Sequence, residues 1–358
     1  MENGLTVGQI MIVQSIYSFT IAIVEIPSGY FSDSLGRRNS LFIGMLLNLI
    51  GICLLSQITG IVTIVLSVVI IGLGSSFVSG TNAALLYDSL VQIKQSDAYL
   101  KHQGRLYSAG TFAEATAAVL GGYMAQYAGY RATVYGQIVI ATVGVWMAWS
   151  LVEVVSEKEN PKRGWANIKS ILEYALLENL QLRWFLVLSA VMGSATLTAA
   201  WFTQPFLSDL MISDGWIGLI WSALNLTVAI ISFETYRIYR LMSNRQIAIL
   251  LVLGVAIGFA GVGLFYSHLA LGFVFLIYMM RGVASPVLLD FVNKVTPSDM
   301  RATVLSVRGL IIRVVFAVVA PLLGWWSDVY SVQQAFLLAG GIFLLLGGSV
   351  ILVLWNRF

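Results

Sequence analysis

Charge is scarce in this chain. Only 10% of its 358 residues are Asp, Glu, Lys or Arg, and the formal net charge is +3. A soluble domain has about a quarter of its residues charged, and so small a positive excess offers nothing to a nucleic acid. Cysteine is scarcer still. Cys53 stands alone inside an apolar run, which excludes a disulfide framework or a cysteine-rich metal centre and leaves a small buried hydrophobe. The two histidines, His102 and His268, fall at segment ends and form no ligand cluster. No Gly-x4-Gly-Lys-Ser/Thr loop is present, so nothing points to ATP use. No nucleophile–base pair or metal cluster argues for an enzyme, and no cofactor is expected. The opening Met1-Glu2-Asn3-Gly4 lacks the basic start of a cleavable signal peptide.

Apolar residues fill the space that charge leaves: 58% of the chain is hydrophobic and the mean hydropathy is +0.87. A bilayer core about 30 Å thick is crossed by roughly 20 apolar residues in a helix. Eleven stretches meet that length, near 7–30, 40–58, 61–88, 103–127, 131–154, 184–207, 215–237, 246–266, 269–290, 303–326 and 333–355. The fold class expected is therefore an all-α integral membrane protein with about eleven transmembrane helices, embedded in a lipid bilayer.

Lysine and arginine stay on the cytoplasmic side of a membrane. Arg37 and Arg38; Lys94, Lys101 and Arg105; Lys158, Lys162, Arg163 and Lys169; Arg237, Arg240 and Arg245; Lys294 and Arg301; and Arg357 occupy alternate loops or the final tail, against Arg131 alone in the opposite loops. This distribution predicts a cytoplasmic C-terminus and an outer N-terminus; the localisation expected is the plasma (inner) membrane. One long polar connection, 156–183, divides the chain into a bundle over 1–155 and a bundle over 184–358. Within it Trp165, Ile168, Leu172 and Leu176 recur at helical spacing, which suits an amphipathic surface helix or an ordinary linker with some helix.

The two bundles repeat each other. Laying Gly8 on Gly215 brings Ser15 onto Ser222, Thr20 onto Thr227 and Arg38 onto Arg245 without a gap. Further on, Gly80 falls on Gly282, Asp88 on Asp290, Arg105 on Arg308, Gly121 on Gly324 and Tyr127 on Tyr330 at nearly constant offset. Polar and glycine matches over such a length indicate duplication. The span 184–207 opens the second copy, and its counterpart would precede residue 8, so the first bundle is expected to lack its first helix.

Between the first two spans runs Gly29-Tyr-Phe-Ser-Asp33-Ser-Leu-Gly36-Arg37-Arg38. Gly29 lets another helix approach its backbone. Gly36 permits a positive-φ turn. Asp33 suits the positive N-terminal end of a helix or a nearby arginine, and Arg37 and Arg38 suit an anionic leaflet. The spacing, its place and a plan of two six-helix halves, short of the opening helix, resemble the major facilitator superfamily. That resemblance implies two pseudo-symmetric bundles. It also implies a conformational latch built from Gly29, Asp33, Gly36, Arg37 and Arg38, contacting the eleventh family helix, which begins near Arg301–Arg308. The second copy has Tyr236 for Gly29 and Arg240 for Asp33, so the latch is asymmetric. Anchoring of topology alone is the plainer role for these residues.

An ionisable group at the membrane centre costs about 2.5–3.5 kcal/mol on insertion scales and is expected to face a cavity or a partner. Glu114, Arg281 and Arg313 lie ten to twelve residues into their spans, roughly 15–18 Å deep at about 1.5 Å per residue. Glu114 is the foremost candidate for taking up and releasing a proton, its affinity set by burial and by Arg281 or Arg313; a fixed structural ion pair is the alternative. Glu25 is a further proton-coupling candidate, although a structural role suits it better. Asp88 and Asp290 suit cap or gate contacts, and Asp328 a solvated outer end. Gln14, Asn48, Asn82, Gln137, Trp201, Gln204, Trp221, Asn225 and Tyr278 are candidates to line a pathway, while tryptophans and tyrosines near span ends are interfacial anchors. Gly72-x3-Ser76-x3-Gly80 and Gly254-x3-Gly258 read as helix-packing faces.

Two departures separate the chain from the drug:proton antiporter branch of the resembled family. Val68 stands where that branch has an arginine four residues before Gly72. Ala117-Ala118-Val-Leu-Gly121-Gly122 stands for its Gly-Pro-x-x-Gly-Gly, and the repeat keeps the proline as Pro321. The function expected is a monomeric secondary transporter that moves a small organic solute by alternating access, with export coupled to proton entry. The rivals are a transport-incompetent membrane protein of binding or interaction function and a facilitator without ion coupling.

Overall fold

A backbone in hydrocarbon must satisfy its own hydrogen bonds, and an uninterrupted helix does so within one segment. The computed structural model describes residues 5–57, 60–79, 81–95, 98–153, 170–265, 267–297 and 300–355. Twelve α-helices are present among the described residues: α1 Val7–Leu35, α2 Arg37–Ser56, α3 Ile61–Val78, α4 Thr81–Gln92, α5 Tyr99–Ala128, α6 Tyr130–Ser150, α7 Leu180–Asp209, α8 Asp214–Leu241, α9 Asn244–Leu264, α10 Ala270–Lys294, α11 Arg301–Val329 and α12 Val332–Leu354. Taken together, α3 and α4 form one membrane-length stretch, Ile61–Gln92, broken at an extended Ser79. Among the described residues, ten such stretches are long and apolar enough to cross a membrane. Thirty-residue α5 is not among them, because Arg105 and Glu114 sit between small and polar residues.

The chain divides into two compact units, Ile16–Asn160 and Met1–Ser15 with Pro161–Phe358. We call them the N-bundle and the C-bundle. Their boundary lies inside the expected connection 156–183, and the first turns of α1 belong with the C-bundle.

The C-bundle has a large continuous core. Helix α7 runs through it with Leu182, Phe185, Leu186, Leu188, Met192, Phe202 and Phe206 all buried. Phe336 of α12 is its aromatic hub, with ring centroids 5.7–5.9 Å from Phe202, Phe206 and Phe259. Such ring pairs contribute about 0.5–1.5 kcal/mol each beyond their area. Gly254 and Gly258 bring α9 against Met280 and Ile277 of α10, as their spacing predicts.

The N-bundle core is small, centred on Leu41, Leu85 and Ala148 with Phe42, Met45 and Val78 against them. Backbone contact compensates in part. A Cβ on Gly44 would lie 2.8 Å from the Gly74 carbonyl, and one on Gly74 would lie 2.6 Å from that of Gly44, so α2 and α3 touch main chain to main chain.

The described end of the connection departs from the expected amphipathic pattern. Trp165 and Ile168 lie outside the described residues. Ile171 and Ala175 are the buried positions, while Leu172 and Leu176 are half-buried, and a π-helical turn spans Tyr174–Glu178. Asn179 then caps α7, its side chain accepting from the Leu182 N–H at 3.0 Å. The packed second bundle thus begins ahead of residue 184.

Candidate functional site

The α1–α2 bend is built around two free backbone donors. Gly36 takes φ +95° and ψ 148°, a region open essentially to glycine alone, and α2 starts at the next residue. The first N–H groups of a helix have no intrahelical acceptor. Here the Glu153 carboxylate, just beyond α6, takes them: Oε1 accepts from the Arg37 N–H at 2.8 Å and Oε2 from the Arg38 N–H at 3.1 Å. A negative charge at this position also meets the positive end of the helix dipole.

The arginine side chains, read from sequence as leaflet anchors, make protein contacts. Arg37 pairs with Asp88 of α4 through Nε. Arg38 donates from Nη2 and Nε to the Trp149 carbonyl of α6, at 2.6 and 3.2 Å. The side chain of Asp33 lies outside the described residues. Gly29 is exposed, and a Cβ there would meet nothing within 4 Å, so no backbone presses on it.

The equivalent bend of the C-bundle solves the same problem locally. Ser243 and Gln246 form a capping box at the start of α9. Asp290 pairs with Lys294 at 2.7 Å, Lys294 donates to the Tyr239 hydroxyl at 2.7 Å, and that hydroxyl donates to Asn244 at 3.0 Å. Arg245, the match of Arg38, stacks 3.6 Å over Trp355.

A second polar group sits at membrane depth in the C-bundle. Tyr278 is buried on α10 at 1% exposure, Trp221 of α8 meets it nearly edge-on at 6.4 Å, and the Arg281 guanidinium lies 5.9 Å from its ring centroid. The structure therefore joins three sequence candidates. Asn225 is linked to them through its side-chain donation to the Trp221 carbonyl at 3.0 Å. Trp201 packs half-buried on the core, Gln204 is exposed, and Gln14 is half-buried on α1. Arg313 is half-buried on α11 beside Ile312, which fills the space over Gly193.

Within the N-bundle, Asn48 and Asn82 line a cavity of about 450 Å³ together with Ser75, Ser79 and Gln103. Glu25 adjoins it: Oε1 accepts from Ser79 Oγ at 3.3 Å, and the buried Oε2 has no hydrogen-bond partner. Gln137 and Glu114 are exposed on α6 and α5. Glu114 belongs to the N-bundle, and Arg281 and Arg313 belong to the C-bundle.

Asp328 is not merely solvated. Its carboxylate accepts from Thr6 Oγ1 at 2.6 Å and from the Gly8 N–H at 3.0 and 3.1 Å, so it caps α1. Gly8 leaves room for it, and a Cβ on Gly324 would come within 2.8 Å of the Gly8 Cα.

A family model described as Major Facilitator Superfamily matches residues 1–319. The chain belongs to the major facilitator superfamily. It is thus a multi-pass membrane transport protein and not an enzyme. No curated protein matches its sequence. Among solved structures, a point variant of the nucleoside transporter NupG superposes with a TM-score of 0.82 at 14% identity, covering 97% of this chain and 90% of that one. A peptide transporter POT variant in complex with alafosfalin gives 0.78 at 16%, covering 99% and 87%. A D-xylose-proton symporter gives 0.74 at 14%, covering 98% and 89%. These likenesses establish the major facilitator fold.

In this facilitator the residues that sequence reasoning missed are the long-range partners of the bend. Glu153 follows the last apolar turn of α6, where an acid reads as the start of a linker. Asp88 was expected to cap or gate, and the structure gives it Arg37.

Proposed function

We propose that this facilitator moves a small organic solute by alternating access, as a monomer in the plasma membrane with its C-terminus and the α1–α2 bend on the cytoplasmic side. Proton coupling is part of the proposal, with export against proton entry as its direction. The observation that carries the solute site is the Arg281–Tyr278–Trp221 group. A cation held in mid-helix costs several kcal/mol that a purely structural apolar bundle has no reason to retain. The bend supports the mechanical half of the reading. Its cap and its ion pair are polar tertiary contacts that can open and re-form without disturbing the apolar core. Solved neighbours with the same fold include a nucleoside transporter and a D-xylose-proton symporter, which supports a small solute and a proton.

Glu114 is the proton carrier in this scheme. Proteoliposomes loaded with a panel of solutes (a nucleoside, a pentose, a dipeptide, and matched aromatic ions) test it by flux with and without an imposed proton gradient. Wild-type flux is expected to respond to the gradient and Glu114→Gln flux to lose that response. An equal gradient dependence in both removes Glu114 from the mechanism. The exposure of Glu114 favours a second reading, an uncoupled facilitator, which predicts gradient-independent flux in the wild type.

A further inference from the structure

The acids on the C-bundle helices, Asp209, Asp214, Glu234, Asp290 and Asp328, all lie within about two turns of a helix end. Glu234 is paired with Arg237 at 2.8 Å, Asp290 with Lys294, and Asp328 with the start of α1. The arginines are placed differently. Arg281 lies about 16 Å along α10, and Arg313 about 18 Å along α11. Among the described residues neither has an ion pair, and the Arg281 guanidinium has no hydrogen bond, only the Tyr278 ring.

Arg308, whose Nε is buried without a hydrogen-bond partner, adds a third cation. It stands five residues from Arg313 and so projects about 140° away around the helix. The two therefore do not converge on one ligand, and the site is built on Arg281 alone.

We infer that the transported solute is an organic anion bearing a planar ring, with Arg281 as the residue that selects its charge. This assignment rests on the transport reading above. A guanidinium cannot discharge itself by losing a proton in a protein, so at membrane depth it holds its charge and its five donors for an acceptor. A carboxylate or sulfonate takes two of those donors at once, in a geometry that an amine or a neutral hydroxyl cannot offer. The Tyr278 face steadies the guanidinium from one side and leaves its in-plane donors open. Half-buried Trp221, set edge-on to Tyr278, presents a ring face for the apolar part of the solute.

Two probes of matched shape and permanent charge separate the possibilities: benzenesulfonate and phenyltrimethylammonium. With the full chain in detergent and in liposomes, benzenesulfonate is expected to raise the melting temperature saturably and to exchange across the bilayer. Phenyltrimethylammonium is expected to do neither. Arg281→Gln is expected to weaken the benzenesulfonate response at least tenfold, and Arg281→Lys to weaken it less. The wild-type probe comparison stands by itself if the glutamine variant fails to fold. A response to the cation or only to the nucleoside, pentose or dipeptide, or an unchanged affinity in folded Arg281→Gln, overturns the inference and leaves the transport reading intact. Exchange of none of these solutes overturns both.

Discussion

The α1–α2 bend of the N-bundle and the α8–α9 bend of the C-bundle occupy matching places in the sequence, Arg38 falling on Arg245, yet they start the helices that follow them differently. In the C-bundle the donors of α9 are satisfied from within, by Ser243 and Gln246 three residues apart. In the N-bundle the donors of α2 are satisfied by Glu153, more than a hundred residues along the chain. A local cap holds whatever the rest of the bundle does, whereas a remote cap holds only while α6 and α2 keep their distance. The ion pairs follow the same division. Asp290 and Lys294 are one helical turn apart on α10, while Arg37 and Asp88 belong to different helices. One bend is thus self-sufficient and the other reports tertiary arrangement, which is what a one-sided latch requires.

The largest break in this comparison comes from Gly36→Ala. The side chain forces a residue with φ +95° into a region that non-glycine residues avoid, at about 1–3 kcal/mol. It also places a methyl where the Glu153 carboxylate sits. Thermal unfolding in detergent should show a loss of about 3 kcal/mol. Ser243 has φ −69°, so Ser243→Gly at the opposite bend should change stability by only a few tenths of a kcal/mol. Similar losses at the two sites would erase the distinction between them.

Glu153→Ala comes next. Two charge-assisted bonds and a cap are lost, for about 2 kcal/mol, and amide exchange at Arg37 and Arg38 should quicken. Ser243→Ala should remove about 1 kcal/mol and leave transport unchanged, while Glu153→Ala alters it. Unchanged exchange at Arg37 and Arg38 would show that the carboxylate does not cap α2.

The smallest effect belongs to the ion pairs. Arg37 and Asp88 are 20% and 14% exposed, against 55% and 42% for Lys294 and Asp290. A double-mutant cycle with Arg37→Gln and Asp88→Asn should give a coupling of about 1 kcal/mol, and the cycle with Lys294→Gln and Asp290→Asn below about 0.5 kcal/mol. The reverse order would make the C-bundle bend the responsive one.

What the amino-acid order discloses is mostly local. Apolar length places the helices, because hydrocarbon leaves the backbone no other choice, and the expected spans overlie α1 to α12 once α3 and α4 are taken as one. The break at Ser79 is hidden, since a reading by apolar length runs α3 and α4 together as one span. The positive-φ turn at Gly36 and the box of Ser243 and Gln246 are readable from a few neighbouring residues. Glu153 is not, because nothing near it in the chain distinguishes a remote cap from a linker acid. Depth was legible for Arg281, and Tyr278 and Trp221 were legible as candidates to line a pathway, but their grouping around one guanidinium depends on how α8 and α10 pack. Asp328 misleads for a similar reason: its partners Thr6 and Gly8 lie at the other end of the chain.

The reach of Glu153 bears on how the protein is made. At roughly 5–20 residues per second of synthesis, a ribosome takes about ten seconds to travel from Gly36 to Glu153. Through that interval α2 enters the bilayer with its leading amides open to water or lipid headgroups, whereas α9 is closed the moment Gln246 leaves the exit tunnel. Insertion of the first bundle is consequently complete only when α6 arrives to seal it.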